Sequence, residues 1–260
     1  MKIVTWNIAG IKARHETLCK WLKQNQPDVV CLQEIKCIDE NFPRNTIEDL
    51  GYHVETHGQK SFNGVAILSK KIPDEIICRL PGDHNDKQAR YIEAVYSTNK
   101  GSIRVASLYL PNGNPINSEK YFYKTEWMKR LYTHAKSLLE YEEPLILAGD
   151  YNVIPTSLDA KNPQEWNNDA LFLPQIREIF QCITHLGFYD AIRNVTDTPS
   201  FSFWDFQANA WKKNNGIRID HLLLSPEAAD QLICAYSQTE VRGYQKPSDH
   251  IPIWVELNCD

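Results

Sequence analysis

LILAGDYN, residues 145–152, decides how the chain is read. Three aliphatic residues, Leu145, Ile146 and Leu147, run through Ala148 and Gly149 into a carboxylate, Asp150, and a carboxamide, Asn152. A buried strand that delivers polar groups at its exit has this form. Asp150 and Asn152 are two apart, so on extended chain both face one way. A carboxylate and an amide on one rigid wall suit work on a phosphate and a cation together. The same letters describe a plain strand followed by a polar turn, since Gly, Asp and Asn are ordinary turn residues. The rest of the chain separates the two readings.

At 260 residues the chain can build a substantial core. Its apolar fraction of 42% and charged fraction of 23% are those of a folded soluble protein. No apolar run approaches a membrane span, and MKIVTWNIAG at the start reads as a strand rather than a signal peptide. Seven cysteines with no CxxC pair fit reduced thiols better than a disulfide framework or a zinc site. A cytoplasmic location is expected. Net charge is −5, which offers no direct support for a nucleic-acid partner. If Glu34, Asp150, Asp220 and Asp249 surround one cation, the remainder carries −1, so a polyanionic substrate is not excluded.

Working outward, residues 2–7 (KIVTWN) read as a strand ending in Asn7, and 28–34 (DVVCLQE) as a buried strand with Glu34 at its exit. Leu18 and Leu22 predict a short helix over 15–25, stopped by Pro27. A second short helix is expected over 44–50, closed by Gly51. Runs at 52–56, 64–69, 75–79, 91–97 and 103–110 have no helical period between them and predict an antiparallel meander. Residues 117–141 predict a helix with Trp127, Leu131, Ala135, Leu138 and Leu139 on one face. A helix over 169–186 is weakened by Pro174; 201–216 is an aromatic, polar loop. Strands over 218–224, 232–238 and 251–257 and a short helix over 226–231 complete the chain. Each half repeats strand, helix, strand, which suggests two sheets face to face with helices outside, in one mixed α/β domain over 1–260.

Five strand ends or starts carry polar groups: Asn7, Glu34, Asp150 with Asn152, Asp220, and Asp249 with His250; Tyr109 ends a sixth. Strand-end loops on a rigid sheet are where sites are built. Each residue alone has a plain explanation: Glu34 as a solvated turn charge, Asp220 as a partner of Arg218, His250 as a structural histidine, Tyr109 as core. Six apolar strands ending alike are harder to assign to turns. Clustered carboxylates need pairing or a cation, and oxygen ligands favour magnesium or manganese over zinc.

WNIAGIKAR at 6–14, LQEIK at 32–36, NGVAILSK at 63–70, YLPNG at 109–113, GDYNV at 149–153, RIDHLLLS at 218–225 and PSDHIPIW at 247–254 occur in order. Together they resemble the exonuclease III family of abasic-site endonucleases, within the endonuclease/exonuclease/phosphatase superfamily. GD-x-N and SDH are signals of the whole superfamily; the other motifs are specific to its DNA-repair branch. The resemblance implies a DNase I-like four-layer αββα sandwich of two mixed sheets flanked by helices. It implies magnesium-dependent hydrolysis of DNA phosphodiesters (manganese substituting, with one or two ions), cleavage 5′ to abasic sites, and trimming of 3′ ends of duplex DNA. A monomer acting on nucleoid DNA is expected. Ala9 and Ile35 stand where many relatives have Asn and Thr; Gln207 and His221 also depart from the common pattern, which leaves the exonuclease balance open.

Residue chemistry gives each group a role. A phosphodiester gains charge on attack, so a cation and fixed donors carry most of the catalysis. Glu34 is the expected direct metal ligand, with Asn7 close by, Asp249 adding an oxygen directly or through water, and Asp150 and Asn152 completing the set. Asp150 is the expected general base. Asn152 donates to the phosphate or places the water, and His250 donates to a phosphate oxygen. Its other nitrogen needs an acceptor, and Asp220 suits because adjacent Asp249 diverges on extended chain. Tyr109 binds phosphate or protonates the leaving group; as an anionic base it would need a shift from a pKa of about 10. Lys12, Arg14, Lys36 and Asn112 are expected to contact DNA, Arg90 less so. In the loop 201–216, Trp204, Phe206 and Trp211 beside Lys212 and Lys213 suit stacking on bases and holding phosphate, or the aromatics simply pack beneath the loop. A phosphatase of the same superfamily would keep the metal and histidine chemistry but not the aromatic loop. A non-catalytic DNA-binding protein would not need the whole polar set.

Overall fold

The computed structural model describes residues 1–259. Strand β1 (Lys2–Asn7) runs into helix α1 (Ile11–Asn25) and returns as β2 (Val29–Gln33), parallel to β1. After a short helix α2 (Arg44–Glu48), strands β3 (His53–His57) and β4 (Val65–Ser69) pair antiparallel, with β4 against β2. Strands β5 (Glu75–Cys78), β6 (Tyr91–Thr98) and β7 (Gly101–Tyr109) are antiparallel neighbours. Helix α3 (Glu119–Leu139) then leads to β8 (Leu145–Asp150), parallel to β7. Helix α4 (Pro174–Thr184), strand β9 (Tyr189–Asp190), helix α5 (Ala191–Val195) and strand β10 (Asp220–Leu224) follow. Helix α6 (Pro226–Ala229) and strands β11 (Leu232–Ser237) and β12 (Ile253–Leu257) end the fold.

One sheet has the order β11-β12-β1-β2-β4-β3 and the other β5-β6-β7-β8-β10-β9. The runs β12-β1-β2-β4 and β6-β7-β8-β10 share one pattern, antiparallel, parallel, antiparallel, each with a helix on the parallel crossover. This is the spatial form of the repeated strand–helix–strand order.

Period-two alternation sets the layers. Ile146 and Ala148 of β8 face the other sheet, in a core shared with Ile3, Cys31, Ile67 and Val105. Leu145 and Leu147 face outward onto Trp127, Met128, Leu131 and Phe180 of α3 and α4. On the other sheet Val4, Val30 and Leu68 face α1 through Leu18, Trp21 and Leu22. Gly149 is fixed by packing: a Cβ there would lie 2.0 Å from the Leu108 carbonyl oxygen on β7. The result is the four-layer αββα sandwich.

The structure corrects several boundaries. Residues 52–110 are not one meander: β3 and β4 join the first sheet, β5 to β7 the second. Helix α1 starts at Ile11 rather than residue 15: Ile11 is buried in phase with Leu18 and Leu22, one apolar residue ahead of an otherwise exposed or half-buried turn. Pro174 starts α4 rather than weakening it; its fixed φ and missing N–H suit the first helical position. The β9–α5 segment was not anticipated.

Arg218, expected on a strand, instead lies just before β10 and is fully buried. Its Nε donates to Asp159 Oδ1 at 2.7 Å and its Nη1 to Asp190 Oδ2 at 2.7 Å. Burial would raise both carboxyls, but the Arg218 guanidinium holds both below their ordinary value of 3.8. Depressed carboxyl pKa values contribute stability that is present above the ordinary Asp range and lost as pH falls through the folded values. Arg218→Met should therefore lower the unfolding free energy at pH 7 by about 3–5 kcal/mol, as for other broken buried pairs. Urea titration should show the gap to the parent narrowing below about pH 4; a gap independent of pH would contradict the pairing.

Candidate active site

The inward-facing positions change character at one end of the sandwich. Ile3 and Thr5 lead to Asn7, Val105 and Ser107 to Tyr109, Ile146 and Ala148 to Asp150, and Leu222 back to Asp220. Pairing brings Asp150 opposite both Tyr109 and Asp220. Below them a polar floor links the sheets: Thr5 Oγ1 donates to Gln33 Oε1 at 3.2 Å and Gln33 Nε2 to Ser107 Oγ at 3.0 Å.

Glu34 is out of phase with this alternation. Cys31 and Gln33 already face inward, so an extended Glu34 would point away. It sits instead at φ 51, and the turn swings its carboxylate into the site. Ala9 (φ 49), Lys36 (φ 53) and Asn152 (φ 48) share the left-handed conformation. For residues other than Gly and Asn this costs about 1–3 kcal/mol each and concentrates at functional sites. Asn152 is thus not on extended chain two residues after Asp150, as the spacing suggested; it reaches the site through a turn in which its N–H donates to Asp150 Oδ1 at 2.9 Å.

Asn7 Nδ2 donates to Glu34 Oε1 and to Asp150 Oδ2, both at 2.9 Å, while its Oδ1 accepts from Ala9 N–H. Lys36 Nζ lies 2.7 Å from Glu34 Oε2. Burial would raise the Glu34 carboxyl, but this ammonium and the Asn7 amide hold it below the usual range. Burial pushes the Asp150 carboxyl up and Asp220 adds to the effect, against the pull of His250.

His250 Nδ1 donates to Asp220 Oδ2 at 2.8 Å, and the same oxygen accepts from Ser202 Oγ at 2.6 Å. Phe203 packs edge-on against the ring at 4.9 Å. Burial alone would lower the imidazolium; Asp220 and Asp150 reverse this and hold it well above its ordinary value. His250 Nε2 faces Asp150 Oδ2 at 3.8 Å as a charged donor. The Tyr109 phenol is raised by burial and by Glu34 and Asp150, so it is a neutral donor and not an anionic base. Arg90 stacks on its ring at 4.8 Å.

Glu34, Asp150 and His250 each offer an atom within 4.8 Å of the others. The oxygen donors of Glu34 and Asp150 suit a hard divalent ion, and the His250 ring, held toward its charged form against burial by Asp220 and Asp150, suits an anion. Asp220 Oδ1 is buried with no hydrogen-bond partner among the described residues, while its other oxygen is paired with His250. Asp249 is adjacent but outside this trio; its Oδ1 accepts from Ser248 Oγ at 3.3 Å.

Around the rim, Lys12, Asn112, Lys212 and Lys213 are exposed. Asn112 Nδ2 donates to Asn152 Oδ1 at 3.2 Å. Arg14 is partly engaged, its Nη2 donating to the Pro247 carbonyl at 3.3 Å. In the loop, Phe206 is 55% exposed and flanked by Arg14 and Arg242, while Trp211 is half-buried. Trp204 corrects an expectation: it is 2% exposed, packs on Trp211, and donates Nε1 to Asn214 Oδ1. Its size made it look like a probe, but it supports the loop from beneath.

Sequence reasoning missed Ser202, which steadies Asp220, and Lys124. Ser202 carries no signal. Lys124 does: it falls in phase with Tyr121, Met128, Leu131, Ala135 and Leu138, the buried face of α3. Its Nζ donates to the carbonyls of Asn112 and Asn152.

A two-sheet sandwich with carboxylates, amides and a carboxylate-held histidine at one end defines a class of phosphoester hydrolases. The Endonuclease/Exonuclease/phosphatase family model matches residues 4–250, and the chain belongs to that family. It is 37% identical to exodeoxyribonuclease III of Haemophilus influenzae, covering 99% of this chain and 100% of the relative. Among solved structures, an AP endonuclease from Archaeoglobus fulgidus superposes with a TM-score of 0.93 at 33% identity, covering 99% of each chain. A 3′ phosphatase, NExo, from Neisseria, bound to a product DNA hairpin, superposes with a TM-score of 0.95 at 32% identity, covering 99% of each chain.

His250 gives a direct test of the electrostatics. A raised folded pKa contributes stability that is complete below the unfolded value near pH 6.5 and fades as pH rises through the folded one. In the metal-free protein, NMR should find the His250 ring protonated well above neutrality. Asp220→Asn should lower that titration by about 1–3 pH units, and an unchanged midpoint would show that Asp220 does not hold the proton.

Proposed function

We propose that the chain is a DNA-repair nuclease that hydrolyses phosphodiester bonds, cleaving 5′ to abasic sites and clearing nucleotides or blocking groups from 3′ ends of duplex DNA. The observation that carries this reading is the division of the site. Glu34 and Asp150 form an acidic side, and His250, protonated against Asp220, forms a cationic side within 4.8 Å. A phosphate fits between a bound cation and that imidazolium. The AP endonuclease and DNA-bound relatives favour DNA as the phosphoester.

Glu34 and Asp150 would hold the metal, with Asn7 and Asn152 beside them and Asp249 acting through water; the oxygen-rich set favours magnesium, with manganese as a substitute. When bound, the cation supplies charge stabilisation on the phosphate oxygens.

Asp150 takes the proton of the attacking water. It must be ionised to act, and a cation bound beside it would keep its carboxyl ionised. His250 donates Nε2–H to a non-bridging oxygen, and Asp220 keeps it charged. Asn152 fixes the water or phosphate through its amide. Tyr109, held neutral, donates its phenol proton toward phosphate or the leaving oxygen.

Lys12, Arg14, Lys36, Asn112, Lys212 and Lys213 line the rim as phosphate contacts. Phe206, propped on two guanidinium groups, is the exposed apolar face for a gap left by a missing base, with Trp211 beside it. We read the chain as one catalytic domain acting as a monomer on nucleoid DNA in the cytoplasm. Among the described residues no helix is long and apolar enough to cross a membrane.

The chain should nick a duplex carrying one abasic site in the presence of magnesium, and a chelator should abolish nicking. Asp150→Asn should fold and bind that duplex while losing about 10²–10⁴-fold in kcat. Near-parental turnover in the variant would assign the base elsewhere, and no nicking by the parent would sink the nuclease reading.

A further inference from the structure

We propose that Lys124 is a positioning residue for the reaction, holding from behind the two loop backbones that present Asn112 and Asn152 to the site. The proposal deepens the nuclease reading given above.

Lys124 lies on α3 and is fully buried. Its Nζ donates to the Asn112 carbonyl at 3.0 Å and the Asn152 carbonyl at 2.6 Å. Neither carbonyl has another hydrogen-bond donor among the described residues. No carboxylate pairs with Lys124 there either, and burial pushes its ammonium down to about 7. A methionine would fill this space without that desolvation cost. A buried lysine whose hydrogen bonds, among the described residues, go to two backbone carbonyls alone therefore serves the loops that carry them.

Those loops leave β7 and β8, the parallel pair at the centre of the second sheet. Their side chains meet at the rim, where Asn112 Nδ2 donates to Asn152 Oδ1. Asn152 Nδ2 in turn donates to the Leu110 carbonyl at 2.9 Å. Asn152 is left-handed (φ 48), which leaves its carbonyl oxygen to Lys124 while its N–H caps Asp150. One ammonium thus ties both turns together.

The sequence carries a second trace of this arrangement. Gly113, the last residue of YLPNG, has φ 86, and a Cβ there would lie 2.5 Å from Lys124 Cδ. The glycine both permits the turn and leaves room for the lysine stem. The motif and the buried lysine form one device, although ten residues separate them.

The test uses the full chain with Lys124→Met, which keeps the stem but removes the donors, and Lys124→Gln, whose amide restores one donor. Two readouts are taken: the side-chain amide NMR signals of Asn112 and Asn152, and kcat and KM on the abasic duplex. Lys124→Met should move both amide signals and lower kcat about 10–100-fold with KM within about twofold. Lys124→Gln should recover part of kcat and part of the signal shift. Unmoved Asn152 signals with parental kcat in Lys124→Met would overturn the proposal. So would a loss that falls on KM alone. Should Lys124→Met not fold, unmoved Asn152 signals in Lys124→Gln would overturn it equally. If the parent does not cut the duplex, the nuclease reading fails, while the amide signals still decide the role of Lys124.

Discussion

The site depends on a change of polarity along inward-facing strand positions. Alternation sends every second residue of β1, β7, β8 and β10 toward the opposite sheet, and over most of the sandwich these residues are aliphatic. At one end they become Asn7, Tyr109, Asp150 and Asp220. A carboxylate in that position is costly unless something compensates it. The protein supplies amide donors, one imidazolium and one ammonium, Lys36, and still leaves Asp220 Oδ1 without a partner. The sandwich therefore builds an acidic cleft suited to a cation beside Glu34 and Asp150 and to an anion beside His250.

Electrostatics then fix the chemical character of each group. Against burial, Asp220 and Asp150 hold His250 toward the charged state, in which the proposed mechanism uses it as a donor to phosphate. Burial, with Glu34 and Asp150 nearby, raises the Tyr109 phenol, so the proposed mechanism uses it as a proton donor. The four left-handed residues around the cleft, Ala9, Glu34, Lys36 and Asn152, are the local cost of aiming side chains that strand parity alone would misdirect. Ala9 is instructive: it holds φ 49 without the side-chain tolerance of an asparagine, because its N–H is needed by Asn7 Oδ1.

Much of this was legible in the sequence. Apolar runs ending in Asn, Asp and Tyr located the strand ends, and their common polar exits were enough to group them. Parity failed for Asn152, and the turn that aims Glu34 carried no signal; both depend on backbone conformation that composition does not encode. The split of residues 52–110 between two sheets was hidden because alternation names a strand's faces and not its neighbours. Trp204 was misjudged because a large aromatic in a polar loop reads alike whether it probes or supports. Lys124 was overlooked although its helical phase was available; a charged residue on an apolar face invites assignment to the surface.

The central claim is that these strand ends converge on one divalent cation held by Glu34 beside the His250 anion face. Anomalous diffraction from a crystal of the parent protein soaked in manganese tests it most directly. The account predicts one strong peak about 2 Å from a Glu34 carboxylate oxygen, on the Asn7 and Asp150 side and away from His250 Nε2. A peak bound elsewhere, or ligated by His250 with Glu34 uninvolved, would contradict it.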